Sequence, residues 1–175
     1  MNTEHKSNTP VAIRDLWRTP KALFDYYDKR FDFTTDVACT PRNCLCDEGI
    51  SLEDGEDSLA DDCVWGERNW CNPPYSQIMP WVCQALTQMT VYECLTVMIL
   101  PADTSVKWFK LAFEKCTECH FISGRISFIN EETGKPVSGN NKGSVVFVFD
   151  PNSPIKQAVS LIDRDEIMVS SYEQS

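Results

Sequence analysis

The chain has 175 residues and a formal net charge of −10 at pH 7, with 26 acidic and 16 basic side chains. This length suits one domain with a central sheet and flanking helices, and leaves little room for a second domain. The negative charge argues against a protein that simply coats nucleic acid, and no apolar run approaches a membrane span.

The polar start of the chain predicts a frayed N-terminus over 1–10 without a secretory signal. We expect a single domain over 11–165 and a C-terminal tail over 166–175. The expected location is the cytoplasm, since nine cysteines without a signal are typical of reduced thiols.

The cysteines leave a zinc site as an alternative to buried thiols. Cys44 and Cys46, or Cys116, Cys119 and His120, carry the ligand types that zinc prefers. Because neither group belongs to a repeated C-x-x-C pair, we predict no metal site.

The first predicted helix covers 21–31, with Thr19 as its N-cap and Pro20 at its first position. Trp17 has two interpretations: a hydrophobic lid on this helix or, together with Thr19, one wall of a small-molecule pocket. This stretch alone does not separate them.

A short strand is predicted to end near Asp36, where Val37-Ala38-Cys39 follow as small residues. Ligands of open α/β sheets lie beyond the carboxyl ends of strands, so Asp36 is placed to meet a cationic amino group of a cofactor. An acid before a turn is also a common local cap, and both interpretations stay open.

The region 41–67 is polar and strongly acidic, which predicts a long loop with little secondary structure. Within it, Asp57-Ser58-Leu59 places an acid before an apolar residue, a pair suited to holding an adenine ring. A solvated acid among many is the alternative. Because the acids crowd into this region, an acidic face could point away from a bound duplex.

The most distinctive stretch is Asn72-Pro73-Pro74-Tyr75, between a short buried strand and a helix over 77–86 that Ser76 is predicted to cap. Its prolines hold the chain extended. The Asn72 carboxamide oxygen, the Pro73 carbonyl and the Tyr75 ring suit a flat heteroaromatic ring bearing an amino group. Two acceptors favour a tetrahedral nitrogen, ready to attack an activated methyl group. A proline-rich turn is the alternative.

The second half alternates strands and helices, which marks an α/β domain. A buried strand over 94–100 precedes a helix over 105–113 that 101–104 caps. Two closing strands then fall within 120–129 and 143–149, and after 153 we expect a short helix at most.

A polar insert over 130–142 joins the closing strands. Its side chains of interest, which could reach bases or phosphates, are Lys135, Asn140, Asn141 and Lys142. A plain surface loop is the alternative.

In this order, the motifs resemble the phage-type DNA adenine methyltransferases of the Dam-like family over 16–149. The resemblance rests on Trp17-Arg18-Thr19-Pro20, Asp36-Val37-Ala38-Cys39, Asp57-Ser58-Leu59, Asn72-Pro73-Pro74-Tyr75, Leu100-Pro101-Ala102 and Gly124-Arg125-Ile126-Ser127-Phe128.

The resemblance implies a Rossmann-like, S-adenosylmethionine-dependent methyltransferase with a single mostly parallel sheet, flanking helices and a C-terminal antiparallel strand pair. It also implies double-stranded DNA as the partner, with the target adenine flipped out of the duplex.

The resemblance also implies a role for each residue that matches a position of the family's motifs. Asn72 and Pro73 hold the target amino group, Pro74 belongs to the same catalytic loop, and Tyr75 stacks on the base. The implied cofactor residues are Trp17, Thr19, Pro20, Asp36 and Ala38 at the methionine and ribose end, and Asp57 at the adenine.

Two departures from the pattern concern the cofactor. Ala38-Cys39-Thr40 has no glycine where many methyltransferases have a glycine-rich turn. The acid that usually grips the cofactor ribose has no clear match either; Asp47 and Glu48 are candidates, without a recognisable strand before them.

The same motif also suits methylation of an RNA adenine or of a glutamine amide, since each presents a planar nitrogen with two hydrogens. From a different class, an inactive acidic protein that mimics DNA is the remaining alternative.

Overall fold

The structure is a computed structural model, and it describes residue 15 and residues 17–137 and 141–169. The predicted frayed segment 1–10, Asn140 of the insert and residues 170–175 of the predicted C-terminal tail lie outside the described residues. No helix in the described part is long and apolar enough to cross a membrane.

The described residues form strands, α-helices and one short 3-10 helix. In chain order these are β1 (Trp17–Arg18), α1 (Lys21–Phe31), β2 (Thr35–Asp36), β3 (Glu48–Gly49), the 3-10 helix (Leu52–Asp54), β4 (Arg68–Cys71), α2 (Ile78–Val91), β5 (Leu95–Pro101), α3 (Lys107–Lys115), β6 (Glu118–Ser123), β7 (Ile129–Asn130), β8 (Ser144–Phe149), β9 (Ala158–Asp163) and α4 (Arg164–Val169).

The main sheet has seven strands in the order β3-β2-β4-β5-β8-β6-β9. Strands β3, β2, β4 and β5 are mutually parallel, β8 runs antiparallel between β5 and β6, and β9 lies parallel to β6. This mostly parallel sheet with an antiparallel pair near the C-terminus confirms the predicted Rossmann-like α/β fold.

Both faces of the sheet are covered by helices, which explains the continuous apolar runs of its central strands. Successive side chains of a strand point to opposite faces, so β5 contributes Val97 and Ile99 to one core and Met98 and Leu100 to the other. Full burial of a side chain of this kind stabilises the fold by about 1.5–3 kcal/mol.

The two cores separate the helices into two layers. The first core holds α1 and α4 against the sheet, through Leu23, Phe24, Tyr27 and Ile167. The second core holds α2 and α3, through Trp81, Val82, Ala85, Phe109 and Ala112.

The order of the sheet reverses between β2 and β4. From β2 the chain passes to β3 on one side, and from β4 it passes through α2 to β5 on the other. In open α/β sheets the crevice beyond such a switch point is where ligands bind. Asp36 and Asn72 both lie at this end, because Asp36 ends β2 and Asn72 follows β4.

The predicted range of α1 is confirmed, whereas α2 begins one residue and α3 two residues later than predicted, and the predicted caps were wrong. Helix α1 begins at Lys21 after Pro20, and α2 begins at Ile78 after Gln77, both without a side-chain cap. The Thr19 hydroxyl lies against Asn72, and Ser76 donates to Asp15, so both hydroxyls bond elsewhere.

The segment after 153 was predicted as a short helix at most; the short helix is present as α4, but the missing strand makes the prediction wrong for 158–163. Residues 158–163 form β9, which pairs along its whole length with β6. Side chains such as Val159 and Leu161 are exposed, so the alternation that marks a half-buried strand is missing. Strand β9 is therefore held in the sheet by its backbone pairing with β6 and not by an alternating apolar pattern of its own.

The closing strand predicted within 120–129 is confirmed only in its first part, as β6, which ends at Ser123; the continuation over 124–129 was wrong. Only Ile129 and Asn130 form a strand, β7, and this pairs with β1 in a separate two-stranded ribbon. Ile126 and Phe128 are instead buried loop residues that pack into the first core. The region 41–67 is mostly loop, as predicted, apart from β3 and the 3-10 helix.

Candidate active site

A cavity of about 430 Å³ lies beyond the carboxyl ends of β2 and β4. The predicted site residues that line it are Trp17, Thr19, Asp36, Ala38, Asp57, Asn72 and Pro74. Pro20 and Pro73 are buried and Tyr75 is half-buried, and these three are not among the lining residues. The fold therefore brings most of the predicted positions, from four separate motifs, together at one place.

The Asn72 carboxamide is held by its nitrogen. Nδ2 donates to the Trp17 carbonyl at 3.3 Å and contacts the Thr19 hydroxyl at 3.1 Å. A carbonyl can only accept, so the amide has one orientation that satisfies the contact. The carboxamide oxygen is then the end left to accept a hydrogen bond from a ligand.

Tyr75 is locked by its hydroxyl and by its ring. The hydroxyl donates to the Ile99 carbonyl at 3.3 Å, and burial raises the pKa of Tyr75, so the phenol stays neutral. Its ring meets Phe128 edge-on at 6.0 Å, and Phe128 stacks on Trp17 at 6.1 Å. These contacts connect the Asn-Pro-Pro-Tyr loop to β1 and to the Gly124–Phe128 segment.

Asp36 is nearly enclosed, with 4% of its surface exposed. Its carboxylate accepts from the backbone nitrogens of Ala38 at 3.3 Å and Leu45 at 3.2 Å. Burial raises the pKa of Asp36 to about 6, against the opposing effect of these two hydrogen bonds. Asp36 thus caps the following turn and also faces the cavity, so the two interpretations left open by the sequence are compatible.

The acidic loop is fastened to the cavity by Ser58. Its hydroxyl donates to the Val37 carbonyl, and the Ser58 carbonyl accepts from the Trp65 indole at 3.0 Å. The neighbouring Asp57 is exposed and accepts from the backbone nitrogen of Leu59 at 2.9 Å. The loop that the sequence predicted therefore has an ordered inner part at the cavity wall.

The wall of the cavity contains more charged residues than the sequence analysis identified. Its acidic residues are Asp15, Asp36, Glu53, Glu56, Asp57 and Glu131, and among the described lining residues Arg18 is the basic one. Such a wall favours a ligand with net positive charge.

Sequence reasoning missed five of these charged residues, namely Asp15, Arg18, Glu53, Glu56 and Glu131. Arg18 lies inside a motif that was noticed, whereas Glu131, Glu53 and Glu56 carried no local signal. The ribose-binding candidates Asp47 and Glu48 do not line the cavity, and Glu48 begins the edge strand β3 instead.

All nine cysteines are free thiols. His120 contacts the Tyr27 hydroxyl with Nδ1 at 3.1 Å and Glu118 with Nε2 at 2.8 Å, so both ring nitrogens have protein partners. Burial raises the pKa of Cys116 to about 11 and of Cys119 to about 12, which keeps these thiols protonated.

A different group of metal-ligand types lies together at the cavity. Within the described part of the chain, ligand atoms of Asp36, Cys39 and Cys44 come within 4.8 Å of one another. A Cβ placed on Gly49 would lie 2.5 Å from both sulfur atoms, so a larger residue where β3 packs on this thiol pair would require the thiols to shift. Burial raises the pKa of Cys39, and we interpret the pair as packed thiols.

The sheet order, the crevice at its switch point and the held carboxamide together define a Rossmann-like α/β protein of the methyltransferase class. More particularly, the chain belongs to the DNA N-6-adenine-methyltransferase (Dam) family, whose model matches residues 6–172.

Two phage proteins show how similar its relatives are. The chain is 37% identical to the DNA N-6-adenine-methyltransferase of Escherichia phage T1 over 164 residues, a match that covers 82% of this chain and 66% of that protein. It is 36% identical to the DNA N-6-adenine-methyltransferase of Haemophilus phage HP1 (strain HP1c1) over 153 residues, covering 85% of this chain and 86% of the relative. The chain thus spans just under two thirds of the phage T1 protein.

Proposed function

We propose that this protein transfers a methyl group from S-adenosylmethionine to the exocyclic amino group of adenine in double-stranded DNA. The observation that carries the proposal is that the Asn72 carboxamide, held by its nitrogen, shares one cavity with the buried acid Asp36. The family assignment and the phage relatives support the same reaction.

The cavity fits the proposed cofactor in size and charge. Its volume of about 430 Å³ lies within the range of small-molecule sites. The cofactor carries a sulfonium, an ammonium and a carboxylate, and its net positive charge matches the acidic wall. It supplies the activated methyl group. Ala38 adds only a methyl side chain at the position of the missing glycine.

The chain's own groups then align the target nitrogen. The Asn72 oxygen and the Pro73 carbonyl accept the two amino hydrogens, which directs the nitrogen lone pair towards the methyl group. Asn72 is uncharged and is no strong base, so the proton leaves after the transfer. Tyr75, which is fixed and neutral, offers its ring as the stacking surface for a base that is flipped out of the duplex.

DNA binding requires contacts outside the acidic cavity. The insert beyond β7 offers Lys135, Asn141 and Lys142, and Lys142 is held at 2.7 Å by Asp103. This ion pair and the Ser105 contacts lower the pKa of Asp103 to about 2. We propose that the insert meets the DNA backbone while the 41–67 loop faces away from the duplex.

The test compares methyl acceptors and one alanine substitution. The protein is incubated with labelled S-adenosylmethionine and duplex DNA, RNA or a protein with exposed glutamines, and the modified adenine is identified by mass spectrometry. We expect label in duplex DNA. Asn72→Ala should lower the rate by about 10²–10³-fold, the usual effect of removing one transition-state hydrogen bond.

The control is Asn152→Ala, which removes the same side chain from an exposed turn. Both variants should keep the wild-type unfolding midpoint and cofactor affinity. A near wild-type rate for Asn72→Ala would show that the pocket is assigned wrongly. If label appears only in RNA or only in protein, the substrate is an RNA adenine or a glutamine amide instead of DNA. If the wild-type protein binds no cofactor, an inactive binding protein is favoured.

A further inference from the structure

Arg18 and Glu131 meet at the cavity although they are distant in sequence. Strand β1 pairs antiparallel with β7, with Trp17 opposite Asn130 and Arg18 opposite Ile129, and Glu131 follows β7 directly. The guanidinium nitrogen of Arg18 lies 3.5 Å from Oε1 of Glu131, and both residues line the cavity.

Each of these side chains keeps a buried polar atom without a partner. Nε of Arg18 and Oε2 of Glu131 have no hydrogen bond within the described part of the protein, and the Glu131 side chain is only 13% exposed. Buried polar atoms of native proteins are nearly always satisfied by protein, water or ligand. A donor and an acceptor left over at the same cavity wall therefore indicate a ligand that carries both an acceptor and a donor.

Glu131 is also held in place. The Thr40 hydroxyl donates to its Oε1 at 2.8 Å, while Arg18 approaches the same oxygen. Both contacts use one carboxylate oxygen, so Oε2 is the atom that remains for a ligand. Thr40 belongs to the turn after Asp36, which places this carboxylate near the buried acid of β2.

The charges of the wall give Arg18 a distinct role. Among the described lining residues it is the basic one, so it is the group that can pair with a ligand carboxylate. A guanidinium binds a carboxylate with two parallel hydrogen bonds, while a carboxylate such as Glu131 accepts well from an ammonium.

We propose that Arg18 and Glu131 bind the two charged groups of an α-amino acid moiety, Arg18 its carboxylate and Glu131 its ammonium. This inference rests on the proposed function and deepens it, because the moiety is then the methionine end of S-adenosylmethionine. The ribbon of β1 and β7 is the element that brings the two residues together.

The test uses two thioether ligands that differ in this moiety alone. S-Adenosylhomocysteine carries the amino acid end, whereas 5′-methylthioadenosine has a methyl group in its place. Calorimetry measures the affinity of each ligand for the wild-type protein and for Arg18→Gln and Glu131→Gln. The matched controls are Lys110→Gln and Glu114→Gln, an exposed ion pair on α3 at 3.7 Å.

We expect the wild-type protein to prefer S-adenosylhomocysteine. Each cavity substitution should weaken that ligand by about tenfold or more, the usual range for a charged hydrogen bond, and should leave 5′-methylthioadenosine within about twofold. The control substitutions should change neither affinity. Thermal unfolding of each variant reports whether the fold is kept.

Three results would count against the inference. If the substitutions weaken the binding of both ligands equally, the Arg18–Glu131 pair has a structural role. If the wild-type protein binds both ligands with equal affinity, it does not recognise the amino acid end. In both cases the proposed cofactor site would still stand. A wild-type protein that binds neither nucleoside would overturn the proposed function and this inference with it.

Discussion

The Thr19 hydroxyl and the Asn72 carboxamide show how one residue can act through another. Thr19 was predicted to cap α1, yet its oxygen lies 3.1 Å from Nδ2 of Asn72. The hydroxyl and the Trp17 carbonyl together set the amide so that its oxygen is the free end. Thr19 is on these grounds a positioning residue for the proposed catalytic group.

Thr19→Val keeps the side-chain shape and removes the hydroxyl. We expect kcat to fall by about tenfold or more because the carboxamide loses one of its two holding contacts. Thr19→Ser should retain most of the activity, since it keeps the oxygen. Single-turnover methyl transfer measures both variants, with KM for DNA determined separately. Equal kcat for the valine variant and the wild-type protein would contradict the positioning role.

The raised pKa of Asp36 predicts that this residue destabilises the fold as the pH rises. Burial raises its pKa to about 6, above the ordinary value that it takes in the unfolded chain. Between these two values the folded state binds more protons than the unfolded state, so the contribution of Asp36 to stability falls as pH rises from about 4 to about 6. Above that range the cost of the buried carboxylate is fully present.

Asp36→Asn removes this titration. The free energy of unfolding of the variant minus that of the wild-type protein should rise by on the order of 2–3 kcal/mol between pH 4 and pH 7. Urea denaturation at several pH values measures it. The comparison uses the change with pH, so a constant offset from altered hydrogen bonds does not affect it. A difference that stays flat across this range would show that Asp36 is not perturbed.

At the scale of elements, β9 and α4 form a C-terminal unit in which β9 is one edge of the sheet and α4 packs into one core. Strand β9 exposes 72% of Leu161, whereas Ile167 of α4 is fully buried with α1 and the sheet. The segment is thus held by backbone pairing with β6 and by a few apolar contacts. The sequence pattern did not reveal the strand of this unit, β9.

Ile167→Ala should lower the free energy of unfolding by about 2–4 kcal/mol, because it leaves a cavity in the core. The control is Leu161→Ala, which removes an exposed side chain of the adjoining strand and should change stability by no more than about 0.5 kcal/mol. Urea denaturation compares the midpoints at constant m-value. Equal small effects for the two variants would show that α4 does not belong to the core.

At the scale of the whole molecule, the net charge of −10 is unfavourable for binding the negatively charged backbone of the proposed DNA substrate. The cavity wall accounts for part of the acidity, since most of its charged side chains are carboxylates that suit a cationic cofactor. The negative charge that argued against a nucleic-acid coat is therefore compatible with a DNA-acting enzyme whose cofactor site is acidic.

The sequence by itself determined the fold class and the central strands. β5 and β8 are buried on both faces, so their apolar runs are visible without any knowledge of partners. The sequence also determined the motif around Asn72, because proline restricts the backbone locally. Each of these features depends on a short run of neighbouring residues, so it can be recognised from the sequence alone.

Only the tertiary structure decided which short strands pair and which polar atoms stay unmatched. β1, β3, β7 and β9 are too short or too exposed to show a pattern, and their hydrogen bonds come from partners far along the chain. The pairing of β1 with β7 joins Arg18 to Glu131 at the cavity. Contacts of this kind depend on register between distant segments, which no single stretch of sequence encodes.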